Sequence, residues 1–523
     1  MSVYKGNLFW VLLHLGAIFI VFINLLTGLR IASVSRPQWL AISPILPQGL
    51  IHPLHFTSGV LLVVLMIAYI GWRIFTREQR PKSFKNNPLD FHRLVIRLGY
   101  VLFLGAMLSG LLSYFSLAPA LVIAVHYYCA LAIIGYLLLH GGGYFIHYGV
   151  AALKRILWPS RQLSPVSLGL FLLTFLLAGL GLQATDKAVH ALSVAKVPLS
   201  ELIHIDGNAD EAVWQQAQTV NIMTQGGANF DNGQTEVRVQ VVENGVEAFF
   251  HISWDDPTKS LKHLPLLKTE SGWQVEQQGF YNFDETRYYE DKLAVMVSNQ
   301  CQAGGAGTVH LGPKPLEDKP ANWHGKGYHY SEDGAIRDLW HWKAVRTNNM
   351  ILADDNYIGP PDKIRPGSRR YSAGYLQDGK ESGAYVMNWA WYKPDYIVPK
   401  RLPKSPELLT SYQQESTDNL SWVIPWFDYQ PYQAGNDEYP VGTRMPSVMY
   451  RSNRFEGDRA DVRAFARWHD GRWSLELSRK LDTGSKYDVA LKNGVCLWVS
   501  AFDHSQVAHT RHALPIQLEF SGA

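Results

Sequence analysis

Hydrophobicity divides the chain at about residue 185. Before that point, the sequence contains five apolar stretches, and each is long enough to cross a bilayer as a helix of about 20 residues. They run over residues 8–32, 51–75, 94–117, 119–150 and 166–185. Further along, the pattern changes to short runs in which apolar and polar residues alternate. The chain is therefore predicted to have an N-terminal membrane part and a C-terminal soluble part.

The alternating runs predict β-strands, because successive side chains of a strand point to opposite faces of a sheet. Gly, Asn and Asp separate these runs, and the combination favours an all-β sandwich. The clearest runs are residues 236–242, 246–254, 292–298, 459–468 and 473–477. Residues rich in Pro, Gly, Trp and Tyr are expected to form long loops over 310–335 and 355–445.

These patterns predict a multi-domain chain. Residues 1–160 would form a transmembrane four-helix bundle, and residues 161–199 would supply a fifth, anchoring helix and a linker over 186–200. Residues 200–523 would form the β-sandwich domain.

Basic residues predict the orientation in the membrane, since Lys and Arg concentrate in cytoplasmic loops. The second and fourth connections between the apolar stretches are the basic ones, with Arg73, Arg77, Arg80, Lys82, Lys85, Arg93, Lys154, Arg155 and Arg161. The first connection has only Arg30 and Arg36, and the third has none. We therefore expect a multi-pass protein of a bacterial inner membrane, with a cytoplasmic N-terminus and a periplasmic C-terminal domain.

Charge and motifs exclude several functions. A net charge of +3, without basic runs interleaved with aromatics, gives no support for nucleic acid as a partner. The sequence has no CxxC or CxxCH motif and no credible nucleophile, hydrolytic metal or nucleotide motif. Cys301 and Cys496 are able to pair in an oxidising compartment, but the sequence does not give their separation.

Four histidines in the apolar stretches carry the candidate chemistry. His126 and His140 are fourteen residues apart, so they share one helix face at a separation of about 21 Å along the axis. With the predicted topology, His55 lies at the depth of His126 and His14 at the depth of His140. Two pairs at matched depths suit two bis-histidine haems, and His52 is a weaker alternative to His55. Buried polar residues without a ligand are the other interpretation, although such groups are costly in lipid.

The membrane part resembles the di-haem b-type cytochromes that serve as membrane subunits of formate dehydrogenases and nickel–iron hydrogenases. The matching pieces are His14, residues 55–59, residues 71–73, Ser109-Gly110, His126, His140 and His147. The resemblance implies that His14, His55, His126 and His140 ligate two haems b. It also implies a quinone site beside one haem, and hence the quinone pool as a partner.

The soluble part resembles two related families. Residues 205–214 and 254–258 are similar to family-nine carbohydrate-binding modules and their haem-binding relatives. Residues 338–346, 473–484 and 502–509 are similar to the haem domain of ethylbenzene dehydrogenase gamma subunits. This resemblance implies a third haem b, which family members hold with a Met and a Lys and related proteins with His or a CxxCH motif.

The axial ligands of this third haem are expected from the same resemblance. His310 lies where the first ligand is expected, and either His509 or His512 lies where the second is expected. Met296 and Lys343 are the substitutes. A structural or surface role is the alternative for each histidine.

Together these features predict an electron-transfer cytochrome embedded in membrane lipid. It would pass electrons between the quinone pool and a periplasmic redox protein, or a dehydrogenase or reductase subunit, as part of a quinol-linked oxidoreductase rather than as a self-contained enzyme. Two alternatives stay open at this point. One is a membrane-anchored sensor or carbohydrate-binding module, and the other is a terminal reductase acting at the outer haem.

Overall fold

The computed structural model describes residues 8–76, 88–151, 153, 165–276, 287–322, 325–364, 366, 371–377, 385–393, 396–413, 422–452 and 456–520. The chain forms two compact units. The first extends to Ala188 and includes the segments Gln302–Gly304 and His310–Lys314. The second contains the remaining residues from Val189 onward.

Within the described residues, five helices of the first unit are long and apolar enough to cross a membrane, as the sequence predicts. They are α1 (Leu8–Ala32), α2 (Ile51–Thr76), α3 (Pro88–Tyr114), α4 (Ala120–Tyr148) and α5 (Pro165–Asp186). Helix α1 packs against α2, α3 against α4, and α5 against α2. Helix α3 begins six residues earlier than predicted, at Pro88, because proline suits the first position of a helix. A short 3₁₀ helix (Pro37–Ile45) follows α1.

The second unit is rich in β-strands. The first twelve strands of the described residues are β1 (His190–Lys196), β2 (Val220–Gln225), β3 (Gln234–Glu243), β4 (Glu247–Asp255), β5 (Leu266–Thr269), β6 (Gly272–Val275), β7 (Lys292–Ser298), β8 (Val309–His310), β9 (Tyr328–His329), β10 (Arg337–Lys343), β11 (Asp354–Ile358) and β12 (Tyr375–Gln377).

The later strands are β13 (Tyr385–Met387), β14 (Trp389–Lys393), β15 (Tyr396–Pro399), β16 (Arg401–Pro403), β17 (Val423–Ile424), β18 (Tyr429–Pro431), β19 (Arg444–Met445), β20 (Val448–Tyr450), β21 (Arg463–His469), β22 (Arg472–Lys480), β23 (Cys496–Phe502) and β24 (Ile516–Phe520). Two short helices accompany them, α6 (Ala212–Gln216) and α7 (Pro406–Gln413).

Two layers of strands form the predicted sandwich. One layer has the order β12-β11-β10-β7-β23-β24, and the other has the order β3-β4-β22-β21, with β2 beside β3. Strand β1 joins them, because its first part pairs with β24 and its last two residues pair with β3. Aromatic side chains fill the space between the layers, as in the Phe250–Trp340 contact at 5.1 Å and the Trp342–Trp473 contact at 5.1 Å. The all-β prediction is confirmed.

Two details differ from the sequence prediction. The stretch expected to be a linker, residues 186–200, contains β1, in which Leu192 and Val194 alternate into the core and are fully buried. The stretch 355–445, expected to be loop, contains short strands and α7. Both were missed because runs of two to eight residues give too few periods for a reliable pattern.

A disulfide joins Cys301 to Cys496, with their Cα atoms 5.4 Å apart. It crosses from the residues after β7 to the start of the neighbouring strand β23 and closes a loop with a sequence separation of 195 residues. A bridge that closes so long a loop removes many conformations from the unfolded chain.

Replacing Cys301 and Cys496 with serine is expected to lower the free energy of unfolding of the sandwich by about 2–5 kcal/mol, because the long loop is no longer closed. Thermal unfolding of the full chain, followed by tryptophan fluorescence, measures the change. Cys129→Ser is the matched control, since Cys129 is a free thiol. Equal melting temperatures for the double variant and the control would show that the bridge does not stabilise the fold.

Candidate haem-binding sites

Helix α4 presents its two histidines to two different partner helices. The ring centroid of His126 lies 6.3 Å from that of His55 on α2, with the planes at 87°. The ring centroid of His140 lies 6.4 Å from that of His14 on α1, with the planes at 65°. These are the pairs that the sequence predicted from matched depth.

The separations fit a shared metal ion. Two imidazoles that bind one ion through nitrogens about 2 Å from it have ring centroids about 6 Å apart. Haem iron is commonly held by protein histidines, and a haem with two histidine ligands has no open position for substrate. Both pairs therefore have the donor atoms and the spacing that a bis-histidine haem requires.

Hydrogen bonds fix the orientation of the His126 ring. Its Nδ1 lies 2.8 Å from the main-chain carbonyl of Ala106 and 3.3 Å from the hydroxyl of Ser109, both on α3. A carbonyl only accepts, so His126 Nδ1 carries the proton and donates it. The Nε2 atom consequently keeps the lone pair that a metal ligand needs.

His55 is oriented in the same way from α1. Its Nδ1 lies 2.9 Å from the hydroxyl of Thr27, and that hydroxyl donates to the main-chain carbonyl of Ile23 at 2.7 Å. The Thr27 oxygen therefore accepts from His55 Nδ1, and the Nε2 lone pair is again the one left for a ligand. Such a partner raises the basicity of a coordinating histidine.

A glycine beside each hydroxyl residue makes room for the ring. A Cβ atom on Gly28 would lie 3.3 Å from Cε1 of His55, and one on Gly110 would lie 2.9 Å from Cε1 of His126. The dipeptides Thr27-Gly28 and Ser109-Gly110 thus serve the two histidines in parallel ways. Sequence reasoning found the second only through resemblance and missed the first, although a repeated hydroxyl–glycine pair was a usable signal.

The second histidine pair lies among aromatic rings. Trp10 stacks on His14 with centroids 5.1 Å apart and planes at 10°. Tyr136 stacks on His140 at 5.3 Å, and Tyr144 approaches its edge at 5.2 Å. The two pairs therefore have different surroundings, one with hydroxyl and carbonyl acceptors and one with stacked aromatics.

Changing Thr27 to valine is expected to weaken haem binding at the His55–His126 pair by about 10- to 100-fold, because His55 loses the partner that orients it. Transfer of haem from the purified chain to an excess of apomyoglobin measures this loss. Thr27→Ser keeps the hydroxyl and is expected to behave like the natural chain. Equal transfer rates for the valine variant and the natural chain would contradict the orienting role.

Two of the residues predicted for the outer haem, His512 and Lys343, have other partners in the structure. Val499 N–H donates to Nε2 of His512 at 2.9 Å, and His512 Nδ1 lies 2.6 Å from the carbonyl of Leu514. Because both ring nitrogens are engaged, His512 has no lone pair left for iron. Lys343 forms a buried ion pair with Asp354.

Met296 and His310, two other residues predicted for the outer haem, are both buried. Met296 is buried on β7, and the hydroxyl of Thr308 lies 3.9 Å from its sulfur. His310 is 4% exposed and belongs to a segment of the first unit, whereas His509 belongs to the second unit.

His509 faces a histidine that the sequence analysis did not select. The ring centroids of His509 and His329 lie 6.3 Å apart, with the planes at 39°. This separation matches those of the two membrane pairs. His509 Nδ1 lies 2.8 Å from the carbonyl of Thr510, so its Nε2 keeps the lone pair.

The surroundings of His509 keep its ring neutral. Burial and the nearby Arg511 lower the pKa of His509 to about 3. The ring of Phe502 packs against it, with centroids 5.0 Å apart. A neutral, oriented imidazole beside a second imidazole has the donor set for a haem iron. His329 was missed because it lies 180 residues before His509, in a two-residue strand without a recognisable motif.

Comparisons with known proteins match both parts of the chain to families. A family model described as "Ethylbenzene dehydrogenase" matches residues 211–513, and one described as "Prokaryotic cytochrome b561" matches residues 6–159. These matches confirm both resemblances identified in the sequence. No curated protein matches the chain.

Solved structures similar to the chain include carbohydrate-binding proteins. A putative carbohydrate-binding protein from Bacteroides uniformis is 8% identical, with a TM-score of 0.26, and the match covers 64% of this chain and 100% of that chain. A family 9 carbohydrate-binding module from Caldicellulosiruptor kristjanssonii, in complex with glucose, is 7% identical, with a TM-score of 0.24, and the match covers 64% of this chain and 96% of that one.

Proposed function

We propose an electron-transfer role for this chain, which belongs to the ethylbenzene dehydrogenase family and carries a membrane-embedded b-type cytochrome of the prokaryotic cytochrome b561 family. In this proposal the chain passes electrons between the quinone pool and a periplasmic redox partner. It acts as the electron-transfer subunit of a quinol-linked oxidoreductase, and it uses two haems in the membrane and one in the sandwich domain.

The observation that carries the proposal is that α4 contributes one histidine to each of two histidine pairs, His126 beside His55 and His140 beside His14. His55 with His126 would hold one haem, and His14 with His140 would hold the other. Haem supplies reversible one-electron chemistry at its iron when it is bound. The protein's part would be to orient the rings of His55 and His126 through Thr27 and Ala106, to keep them away from water, and to supply two imidazole nitrogens to the haem iron.

The spacing of the two pairs suits transfer across a membrane. His126 and His140 are separated by about 21 Å along α4, at the rise per residue of an α-helix. The hydrocarbon core of a bilayer is about 30 Å thick. Each histidine pair therefore lies near one surface, where a quinone on one side and a protein partner on the other are within reach.

A periplasmic location for the sandwich domain is supported by two independent features. The basic connections after the second and fourth apolar stretches favour the cytoplasmic side for those loops. The Cys301–Cys496 disulfide suits an oxidising compartment, since such bridges are rare in the cytosol. Both features support an arrangement in which the helices span the bacterial inner membrane and the sandwich domain lies in the periplasm.

The third haem is assigned to His329 and His509. Their centroid separation of 6.3 Å and the hydrogen bond from His509 to the Thr510 carbonyl support this choice over His310 and His512. Lys343 and Met296, the substitutes suggested by resemblance, have Asp354 and Thr308 as neighbours instead.

Anaerobic mixing of the purified chain in lipid nanodiscs with a quinol tests the quinone link. We expect menaquinol or ubiquinol to reduce the b-type absorbance within seconds, and a water-soluble oxidant added afterwards to restore the oxidised spectrum. Nanodiscs that hold the Tyr128→Phe variant, changed on the exposed side of α4, are the control. A spectrum that dithionite reduces and neither quinol changes would overturn the quinone link.

A further inference from the structure

Arg511 lies two residues after the proposed haem ligand His509. Over residues 509–512 the side chains are alternately partly exposed and buried, and Thr510 and His512 are the buried ones. Successive side chains of an extended segment point to opposite sides. His509 and Arg511 therefore point to the same side, from backbone positions about 7 Å apart.

Hydrogen bonds hold this segment on both of its edges. Arg511 N–H donates to the carbonyl of Gln225 at 2.9 Å, and Gln225 N–H donates to the carbonyl of Arg511 at 2.9 Å. Thr510 N–H donates to the carbonyl of Ala501 at 2.9 Å, and the Thr510 hydroxyl accepts from Ala501 N–H at 3.0 Å. The backbone that carries His509 and Arg511 is thus fixed between the end of β2 and β23.

A glycine makes room for the guanidinium of Arg511. Gly226 follows β2 with a φ of +86°, in the left-handed region that favours glycine. A Cβ atom on Gly226 would lie 3.0 Å from Nη2, 3.1 Å from Nε and 3.4 Å from Cζ of Arg511. The guanidinium therefore packs directly against the glycine, and this contact fixes the position of its positive charge.

The Arg511 side chain has no anionic partner in the part of the chain that the structure describes. It forms neither a hydrogen bond nor an ion pair with those residues. Other buried cations of the same domain each have a carboxylate partner, as in Lys343–Asp354, Arg346–Glu290 and Arg479–Asp338. A guanidinium offers five N–H donors in a planar fork that matches a carboxylate. Arg511 is therefore suited to bind an anion that comes from outside the described chain.

We propose that Arg511 binds a carboxylate side chain of the haem that is assigned to His329 and His509. Haem b carries two ionised carboxylates at one edge of its ring, so it brings such an anion to the side on which Arg511 lies. A guanidinium and a carboxylate form two parallel, charge-assisted hydrogen bonds. The inference rests on the proposed function, because it takes a third haem in the sandwich domain as given.

Arg511 would act as a positioning residue with two effects on the haem. Two imidazoles fix the iron but leave the ring able to rotate about the line that joins the two ligand nitrogens. A bound carboxylate removes that freedom. The ferric haem also carries one positive charge more than the ferrous haem, so a nearby cation favours the ferrous form and raises the midpoint potential.

Redox titration of the full-length chain in lipid nanodiscs tests the proposal. Arg511→Gln is expected to keep the third haem and to lower the midpoint potential of one component, namely the one that is missing in His509→Leu. Transfer of this haem to apomyoglobin is expected to become about tenfold faster or more, because charge-assisted hydrogen bonds are lost. Arg463→Gln is the matched control, since it makes the same change at a side chain that is 50% exposed.

Two further variants separate charge from geometry. Arg511→Lys keeps the charge and loses the planar fork, so its midpoint potential should stay close to that of the natural chain while haem transfer becomes faster. Gly226→Ala moves the guanidinium without removing it and should also speed up transfer of the same haem. Adding Gly226→Ala to Arg511→Gln should then have no further effect on transfer.

The outcomes distinguish this inference from the proposed function. A natural chain without a haem in the sandwich domain would overturn the third haem and the role of Arg511 together. A third haem with equal potentials and equal transfer rates in Arg511→Gln and Arg463→Gln would overturn the role of Arg511 alone. If Arg511→Gln does not fold, Arg511→Lys decides, because transfer at the natural rate would contradict a carboxylate bound by the fork.

Discussion

Replacing His126 with leucine is expected to lower the haem content by one per chain, from about three to about two. Leucine has a similar volume but no nitrogen, so His55 is left without the partner that lies 6.3 Å from it. Replacing His55 with leucine is expected to cause the same loss. The pyridine haemochrome assay, with protein quantified in the same sample, measures the change.

Double variants make this prediction sharper. Because His55 and His126 are assigned to one haem, the double variant is expected to lose one haem per chain, the same loss as either single variant. Replacing both His126 and His140 with leucine is expected to remove two haems per chain, since His140 pairs with His14. Cys129→Ser, on the same helix, is the control and is expected to keep the full content. Additive losses in the His55/His126 double variant would contradict the pairing.

Replacing His509 with leucine is expected to remove the haem of the sandwich domain and to leave the two membrane haems in place. The reason is that His509 presents an oriented, neutral imidazole to His329 at 6.3 Å. The change is expected in the same assay and also in redox titration, where one of three one-electron components should disappear. His329→Leu should reproduce it.

Two further variants test the prediction for the haem of the sandwich domain. His469→Ala removes a histidine whose side chain is 87% exposed and is expected to change nothing. His310→Leu tests the ligand that resemblance suggested first. Loss of the third haem in His310→Leu, with full retention in His329→Leu, would contradict the assignment to His329 and His509.

The two histidine pairs of the membrane part were predictable from three properties of the sequence. Hydropathy gives the five helices, loop charges give their direction, and helix rise gives the depth of each histidine. Those three quantities already match His55 to His126 and His14 to His140. The hydrogen bonds from His126 to Ala106 and from His55 to Thr27 were not predictable, since they depend on how each helix is rotated about its axis.

The ligands proposed for the outer haem were harder to predict for a different reason. His329 and His509 approach each other through strands and loops that are far apart in the sequence, and no local period reports such contacts. The family resemblance selected Lys343 and His512 only because they lie near where the family's haem ligands are expected. In this chain Lys343 forms an ion pair with Asp354, and His512 has two main-chain partners. A side chain whose donor atoms are all engaged, such as that of His512, is unsuited to a ligand role, and only the structure reveals this.

The haem content of the natural full-length chain tests the central claim most directly. The account predicts about three non-covalent haems b per chain, since it assigns three histidine pairs of similar separation. A purified, folded chain that contains no haem b would contradict the claim that these histidine pairs make the protein an electron-transfer cytochrome.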